Sequence, residues 1–254
     1  GSLTYYDVEK NNEIYKSKLL SSLKTHELDN LVSVKSAIDD LRSEKIEESS
    51  YVDSINGAYK NHYSFKLNKW KNHDPRNNNV KVRARFRIYQ IMSKIPKSSS
   101  LEVTRFLKSE GVSSVSTNTL RLMSKHWVLD LNGKRISKPS TEILLELLEK
   151  VYTKKQTQRA LLADFPAPAA LSIPDDACHY HESIISQRTL TVREMARIQS
   201  FPDWFEIKSK VTTGGSMRKF EVPQYTQVGN AVPPLLGVAL GEVCRRFLEF
   251  AQDS

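Results

Sequence analysis

Apolar positions recur at helical spacing through the first two thirds of the chain. Val82, Phe86, Ile88 and Ile91 predict a helix over residues 80–95, and Ile143, Leu144, Leu147, Leu148 and Val151 predict another over 141–152. Shorter helices are predicted over 36–42 and 101–108. Asn77-Asn78-Asn79 and Ser98-Ser99-Ser100 read as loops, and residues 129–140 around Asn132-Gly133 read as a hairpin. The helical stretch at 101–111 followed by 117–124 is open to two readings, a helix-turn-helix or plain packing. Further on, Thr191-Val192-Arg193-Glu194 has the form of a capping box, so a helix should start at Val192 and stop by Phe201-Pro202. Gly229-Asn230-Ala231-Val232-Pro233-Pro234 then leads into Leu235, Leu236, Ala239, Leu240, Val243, Cys244, Phe247 and Leu248. That spacing predicts a last amphipathic helix entered through a tight turn, with Cys244 in the core.

Composition changes near residue 165. Five of nine glycines follow Thr213 and seven of ten prolines follow Phe165. The earlier part reads as mostly helical and the later part as a smaller α/β segment, an overall α/β class. At 254 residues the chain can bury a core without disulfide or metal staples. With 39% hydrophobic residues and a mean hydropathy of −0.47, it lacks the roughly 20 consecutive apolar residues of a membrane-spanning helix. Cys178 and Cys244 make no disulfide framework, and a reducing, cytoplasmic setting is expected. Gly1-Ser2 without an initiator Met resembles a cleavage scar, which leaves open that the chain is a fragment.

Charge is concentrated. The net charge is +9, and the stretch from Lys60 to Arg87 carries nine Lys/Arg against one acid, Asp74. Tyr63, Phe65, Trp70, Phe86 and Tyr89 are interleaved with it, a pattern that suits a phosphate-holding surface, although a solvated basic face gives the same pattern. For double-stranded DNA, Arg76, Arg83, Arg85 and Arg87 can bind phosphate or pair with guanine, whereas Lys60, Lys66, Lys69 and Lys71 suit phosphate as point charges. At helical spacing Arg83 and Arg87 share a face. Around Gly214 and Gly215, with Arg218 and Lys219, the residues suit either a loop approaching a DNA backbone or a plain surface loop. Lys154, Lys155 and Arg159 belong to the same basic surface or favour a helix C-terminus.

Two segments carry the specific signal: Arg188-Thr-Leu-Thr-Val-Arg-Glu-Met-Ala-Arg-Ile-Gln-Ser-Phe-Pro-Asp203 and Gln227-Val-Gly-Asn-Ala-Val-Pro-Pro-Leu-Leu236. Together they resemble the last two ordered motifs of cytosine-C5 DNA methyltransferases. Upstream, Val34-Lys-Ser-Ala-Ile-Asp-Asp-Leu41, Thr153-Lys-Lys-Gln-Thr-Gln-Arg-Ala-Leu161 and the stretch from Pro166 to Tyr180 are also similar to the family, so the resemblance covers about residues 30–250. It implies a target-recognition region over 30–165, followed by a segment over 166–254 that completes a Rossmann-like methyltransferase domain. Residues 1–29 resemble nothing recognised and read as a leader or tag-proximal segment. Asn230 and Ala231 are implied to reach the S-adenosylmethionine pocket; a plain N-cap is the other reading of Asn230. Arg193, Glu194 and Arg197 are implied to tie the two regions together through ion pairs.

The family's other elements do not occur here. No Gly-x-Gly is present to make the close approach of a cofactor loop, and neither cysteine follows a proline as the family's nucleophile does. Cys178 lies beside His179 and His181, but without a Cys-x-x-Cys partner a metal site or a Cys/His nucleophile is disfavoured. Asp175-Asp176 reads as a surface turn. In the family, cytosine is flipped out, a cysteine thiolate attacks ring carbon six, and carbon five is methylated from S-adenosylmethionine. This chain therefore resembles the C-terminal half, with the nucleophile on a partner subunit or on a removed N-terminal half. The resemblance implies no activity alone, and apolar surface uncovered where the missing half docks. A stand-alone DNA-binding module is the alternative.

Overall fold

Asn79 starts the helix around which the first core forms. Its side chain accepts from the Val82 N–H at 2.9 Å, and the chain then runs helically over Val80–Met92. The computed structural model describes residues 31–42, 49–57, 70–108, 114–155, 157–168, 177–212 and 220–252. Over these the elements are α1 (Val34–Ile38, continued by a 3-10 turn, Asp39–Arg42), α2 (Ser50–Gly57), α3 (Val80–Met92), α4 (Lys97–Lys108), α5 (Thr117–Met123), β1 (Val128–Leu129), β2 (Arg135–Ile136) and α6 (Thr141–Lys150). There follow β3 (Arg159–Ala160), β4 (Ala177–Cys178), α7 (Val192–Ile198), α8 (Gln224–Asn230) and α9 (Pro234–Gln252). Ser33, Ser116, Ser140 and Thr191 begin α1, α5, α6 and α7 as Asn79 begins α3, each side-chain oxygen accepting from an otherwise orphaned N–H three residues on.

The predicted hairpin forms between β1 and β2, antiparallel with Val128 opposite Ile136. Asp130 Oδ1 accepts from the Asn132 and Lys134 N–H groups at 2.9 and 2.7 Å, and Gly133 takes a φ of 81° that an L side chain resists. Strands β3 and β4 pair in parallel, Ala160 opposite Cys178. The described residues thus carry mixed helices and two small sheets, in keeping with the α/β class expected. Among the described residues no helix is long and apolar enough to cross a membrane.

Two apolar clusters result. The first gathers Phe86, Ile88 and Ile91 of α3 with Val103, Leu107, Met123, Leu129, Leu144, Leu148 and Cys178. The second joins Val34, Ala37, Ile38 and Leu41 to Leu190, Val192, Ala196, Tyr225 and Val228. Packing therefore does not follow the compositional change at 165, because α1 buries its apolar face against α7.

Two expectations need correction. Ser98, Ser99 and Ser100 are not a loop: Pro96 precedes the first turn of α4, the Ser100 N–H donates to the Pro96 carbonyl at 2.9 Å, and Ser99 is buried. Cys244 is exposed, not core. It lies on α9, where Leu236, Leu240, Phe247 and Leu248 are also exposed and Ala239 is buried. The predicted helix is present and its apolar stripe is largely uncovered. The α4–α5 corner is built by packing and by Glu102, which accepts from the Ser116 N–H at 2.6 Å and from its hydroxyl at 3.0 Å.

Since α1 and α7 share one core, Ile38→Ala should cost about 2–5 kcal/mol, the usual penalty for emptying a fully buried aliphatic site. Denaturant unfolding followed by circular dichroism checks this; a loss below about 1 kcal/mol would mean that α1 is not integral to the fold.

Candidate functional site

Helix α7 is entered through the predicted capping box. The Glu194 N–H donates to Thr191 Oγ1 at 3.2 Å, and the Thr191 N–H donates to Glu194 Oε2 at 2.7 Å. Glu194 does more than cap. Arg188 donates to both its carboxylate oxygens, each at 2.7 Å, in a bidentate pair from which water is excluded. Burial alone would raise the Glu194 carboxyl; the Arg188 hydrogen bonds and charge, with His179 and His73 adding to them, overcome it and hold the group at about 2. His179, equally buried, is pushed down to about 4 by loss of solvent, against the attraction of Glu194 at 3.7 Å. Its Nδ1 accepts from the His181 N–H at 3.0 Å, which places the proton of the neutral ring on Nε2.

One turn on, Arg197 forms the second charged knot. It donates to both oxygens of Asp203 at 2.8 and 3.0 Å, to Asp40 of the turn after α1, and to the Ala37 carbonyl, with Trp70 beneath its guanidinium at 4.7 Å. Asn56 of α2 brackets Asp203, donating to its carboxylate at 2.9 Å and accepting from its N–H at 2.7 Å. Arg193 departs from the expected ion pairing. Its guanidinium donates to three carbonyls, of Lys71, Pro202 and Phe205, and burial lowers it to about 10. The 70–73 segment thus straps across α7. Asn72, at φ 61°, takes the Arg193 N–H on its carbonyl and exchanges side-chain bonds with the backbone of Ile207, and His73 bridges Thr191 and the Leu41 carbonyl at 2.9 Å each.

The Gly229–Pro234 turn hangs from the far end of α7. Gln199 Nε2 donates to the Val228 carbonyl at 3.4 Å, the Leu235 N–H donates to Ser200 Oγ at 3.0 Å, and Tyr225 donates to the Leu190 carbonyl at 2.6 Å. Asn230 is the last residue of α8 and Ala231 its C-cap, so the N-cap reading of Asn230 is corrected: three residues separate it from the start of α9. The Asn230 side chain is exposed, beside exposed Val232 and Leu236.

Of the residues expected at DNA, Lys60, Lys66, Lys69, Gly214, Gly215, Arg218 and Lys219 lie outside the described residues, as do Asp175 and Asp176. Lys71 is exposed and paired with Glu206 at 2.6 Å. Arg76 and Arg83 are half-buried and line one cleft. Arg85 and Arg87 do not face solvent, which corrects their assignment to a DNA surface. Every residue of α3 from Ala84 to Met92 is buried, because neighbours close over all sides of its second half. Arg85 there donates to the carbonyls of Val151 and Tyr152 at the end of α6, where a helix favours a cation. Arg87 donates to the Trp127 carbonyl at 2.9 Å, stacks on the Trp127 ring at 4.2 Å and meets Glu182 at 3.3 Å.

Sequence reasoning missed Asn72, His73, Gln90 and Asp40. Asp40 and Asp203 were within reach, both lying in stretches that resemble the family. Gln90, buried and donating to the His179 and His181 carbonyls at 2.8 Å each, carries no sequence signal. Cys178 is sealed in the first core with its thiol pushed far up by burial, so it is no nucleophile at neutral pH. Among the described residues no group of His, Cys, Asp and Glu is arranged to hold a metal.

The profile of the C-5 cytosine-specific DNA methylases matches residues 6–246. The chain belongs to this family. It is 39% identical over 99 residues to the Type II methyltransferase M.AquIB of Picosynechococcus sp., covering 38% of this chain and 68% of that protein. To M.AplI of Arthrospira platensis it is 48% identical over 63 residues, 25% of this chain and 15% of the relative. To M.Bpa9945I of Bacillus paralicheniformis it is 41% identical over 101 residues, 36% and 20% respectively. The chain thus spans a small part of M.AplI and M.Bpa9945I, and about two thirds of the much shorter M.AquIB. No solved structure matches it.

The buried knots make the fold acid-sensitive. His179, at about 4 against an ordinary 6.5, stays neutral in the folded chain while the unfolded chain takes up a proton below 6.5, so its contribution is complete above pH 6.5 and lost towards pH 4. Glu194, at about 2 against 4.5, adds a further loss as the pH falls below 4.5. Denaturant titrations should show stability falling on the order of 2–3 kcal/mol from neutral pH to pH 4, and His179→Gln should flatten the upper limb. A flat wild-type profile would contradict the assignment. Glu194→Gln, which leaves Arg188 unneutralised, should cost about 3–5 kcal/mol at neutral pH.

Proposed function

We propose that this chain is the target-recognition and C-terminal part of a DNA (cytosine-5-)-methyltransferase, with the nucleophile and most of the S-adenosylmethionine site carried by a partner subunit or a preceding half. The single observation that carries this is the bare apolar stripe of α9, directly after the family's last motif. A helix exposing Leu236, Leu240, Phe247 and Leu248 together is stable in water only with a covering surface. The short M.AquIB, of which the matched stretch makes up 68%, supports a reading in which this region stands on a chain of its own. In this reading residues 30–165 recognise double-stranded DNA and 166–254 complete the Rossmann-like domain, while the family match from residue 6 sets aside the reading of residues 1–29 as a leader.

The cofactor would contribute the methyl group. On this chain an exposed amide at Asn230, the small Ala231 and the apolar edge at Val232 fit one wall of such a site: the amide both donates and accepts, and the edge accommodates a flat ring. Gln199 and Ser200 fix the turn that presents them. Neither cysteine takes part, Cys178 being sealed and Cys244 lying on the docking helix.

Labelled-methyl transfer to cytosine-containing duplex DNA tests the proposal, using the chain alone, the partner carrying the cofactor loop and Pro-Cys pair, and both. Activity is expected from the mixture only. Asn230→Ala should raise the KM for S-adenosylmethionine by an amount equivalent to about 1–3 kcal/mol, and Cys178→Ala and Cys244→Ala should leave a complex that still transfers methyl groups. Activity from the chain alone that vanished in Cys178→Ala would overturn the proposal. No activity in any mixture, with DNA binding intact, would make the chain an independent DNA-binding module.

A further inference from the structure

Helix α7 ends in a Schellman motif: the Ser200 N–H donates to the Arg197 carbonyl and the Phe201 N–H to the Ala196 carbonyl, each at 2.9 Å. The residue at the turning point of such a motif takes a left-handed backbone, and glycine ordinarily fills it because it has no Cβ to resist. Here that residue is Ser200, buried and at φ 61°. Its hydroxyl is aimed away from α7. Ser200 Oγ accepts from the Leu235 N–H at 3.0 Å, in the first turn of α9.

That first turn has no cap of its own. Helices α1, α3, α5, α6 and α7 each follow a Ser, Thr or Asn whose side chain accepts from an N–H three residues on, whereas α9 follows Pro233, which has no side-chain acceptor. Pro233 and Pro234 also lack an N–H, so the orphaned donors at this helix start are those of Leu235 and Leu236. Ser200 supplies the missing oxygen from 35 residues away in the chain. Beside it, Gln199 Nε2 donates to the Val228 carbonyl at 3.4 Å. The two side chains thus grip the backbone on either side of the turn, one within α8 and one within α9, with exposed Asn230 between them. A glycine at position 200 would suit the end of α7 better and would break the second grip.

We propose that Ser200 is a positioning residue: it caps α9 from the end of α7 and sets the direction in which the last helix leaves the turn that carries Asn230. This rests on the methyltransferase reading, in which that turn faces the methyl donor and α9 faces the missing half, and it adds the residue that holds the two in register.

Backbone-amide hydrogen exchange on the full chain, resolved to single residues, tests the cap without cofactor or partner. Ser200→Gly keeps the left-handed ending of α7 and removes only the oxygen; it should speed exchange at Leu235 by about fivefold, the usual effect of losing a capping oxygen, and leave the amides of α3 unchanged. Ser200→Asn should restore protection, since Asn tolerates the same backbone and carries an acceptor. In methyl transfer by the chain together with the partner carrying the cofactor loop, Ser200→Gly should raise the KM for S-adenosylmethionine severalfold with kcat unchanged, and Ser200→Asn should bring the KM back. Unchanged exchange at Leu235 in Ser200→Gly would overturn the cap and leave the methyltransferase reading standing. Faster exchange with an unchanged KM would reduce Ser200 to a structural cap and overturn its positioning role. A wild-type mixture that transferred no methyl groups would overturn the methyltransferase reading and the positioning role together, and the exchange at Leu235 would still decide the cap.

Discussion

The rest of the structure depends on keeping charges buried beside α7. Arg188 with Glu194, and Arg197 with Asp40 and Asp203, are buried, and removing Arg188, Glu194 or Arg197 would leave an uncompensated charge. Such pairs are poor sources of net stability, because desolvation offsets most of the attraction. What they enforce is geometry: Asp40, Asn56, Trp70 and Asp203 must all converge on Arg197 for its desolvation to be offset. Segments far apart in the sequence are thereby held in one arrangement, and the apolar contacts of the second core close around it.

Burial also explains which parts of the molecule were legible in the sequence. The capping box at Thr191, the Asn132-Gly133 hairpin and the start of the last helix depend on residues within a few positions of one another, and each formed as read. The serine run at 98–100 was misread because Pro96, two residues earlier, decides the local conformation. Arg85 and Arg87 were misread for a different reason. Charge along a sequence indicates hydration only when a helix has a wet face, and the second half of α3 has none, so its arginines are matched to carbonyls and to Trp127 by the packing of α6 and the hairpin.

The site divides in the same way. The ion pairing of Glu194 and Arg197 was legible because they sit in a segment whose wording resembles a family, and the match over residues 6–246 shows that family. Asn72, His73 and Gln90 were not, since each is a polar residue in a polar stretch whose role comes from what approaches it in three dimensions. Asn72 shows this most clearly: its left-handed backbone is sustained by bonds to Arg193, Ile207 and Gln224, which lie more than a hundred residues away.

These contacts also set how the two candidate surfaces are related. Helix α7 is seven residues long, roughly 10 Å at 1.5 Å per residue. Before its first turn, Arg188 lines the cleft shared with Arg76 and Arg83 while its charge is held by Glu194; beyond its last turn, Gln199 and Ser200 hold the turn that carries Asn230. A short helix held by a capping box at one end and by the Arg197 knot near the other fixes the spacing between the segments docked at its two ends.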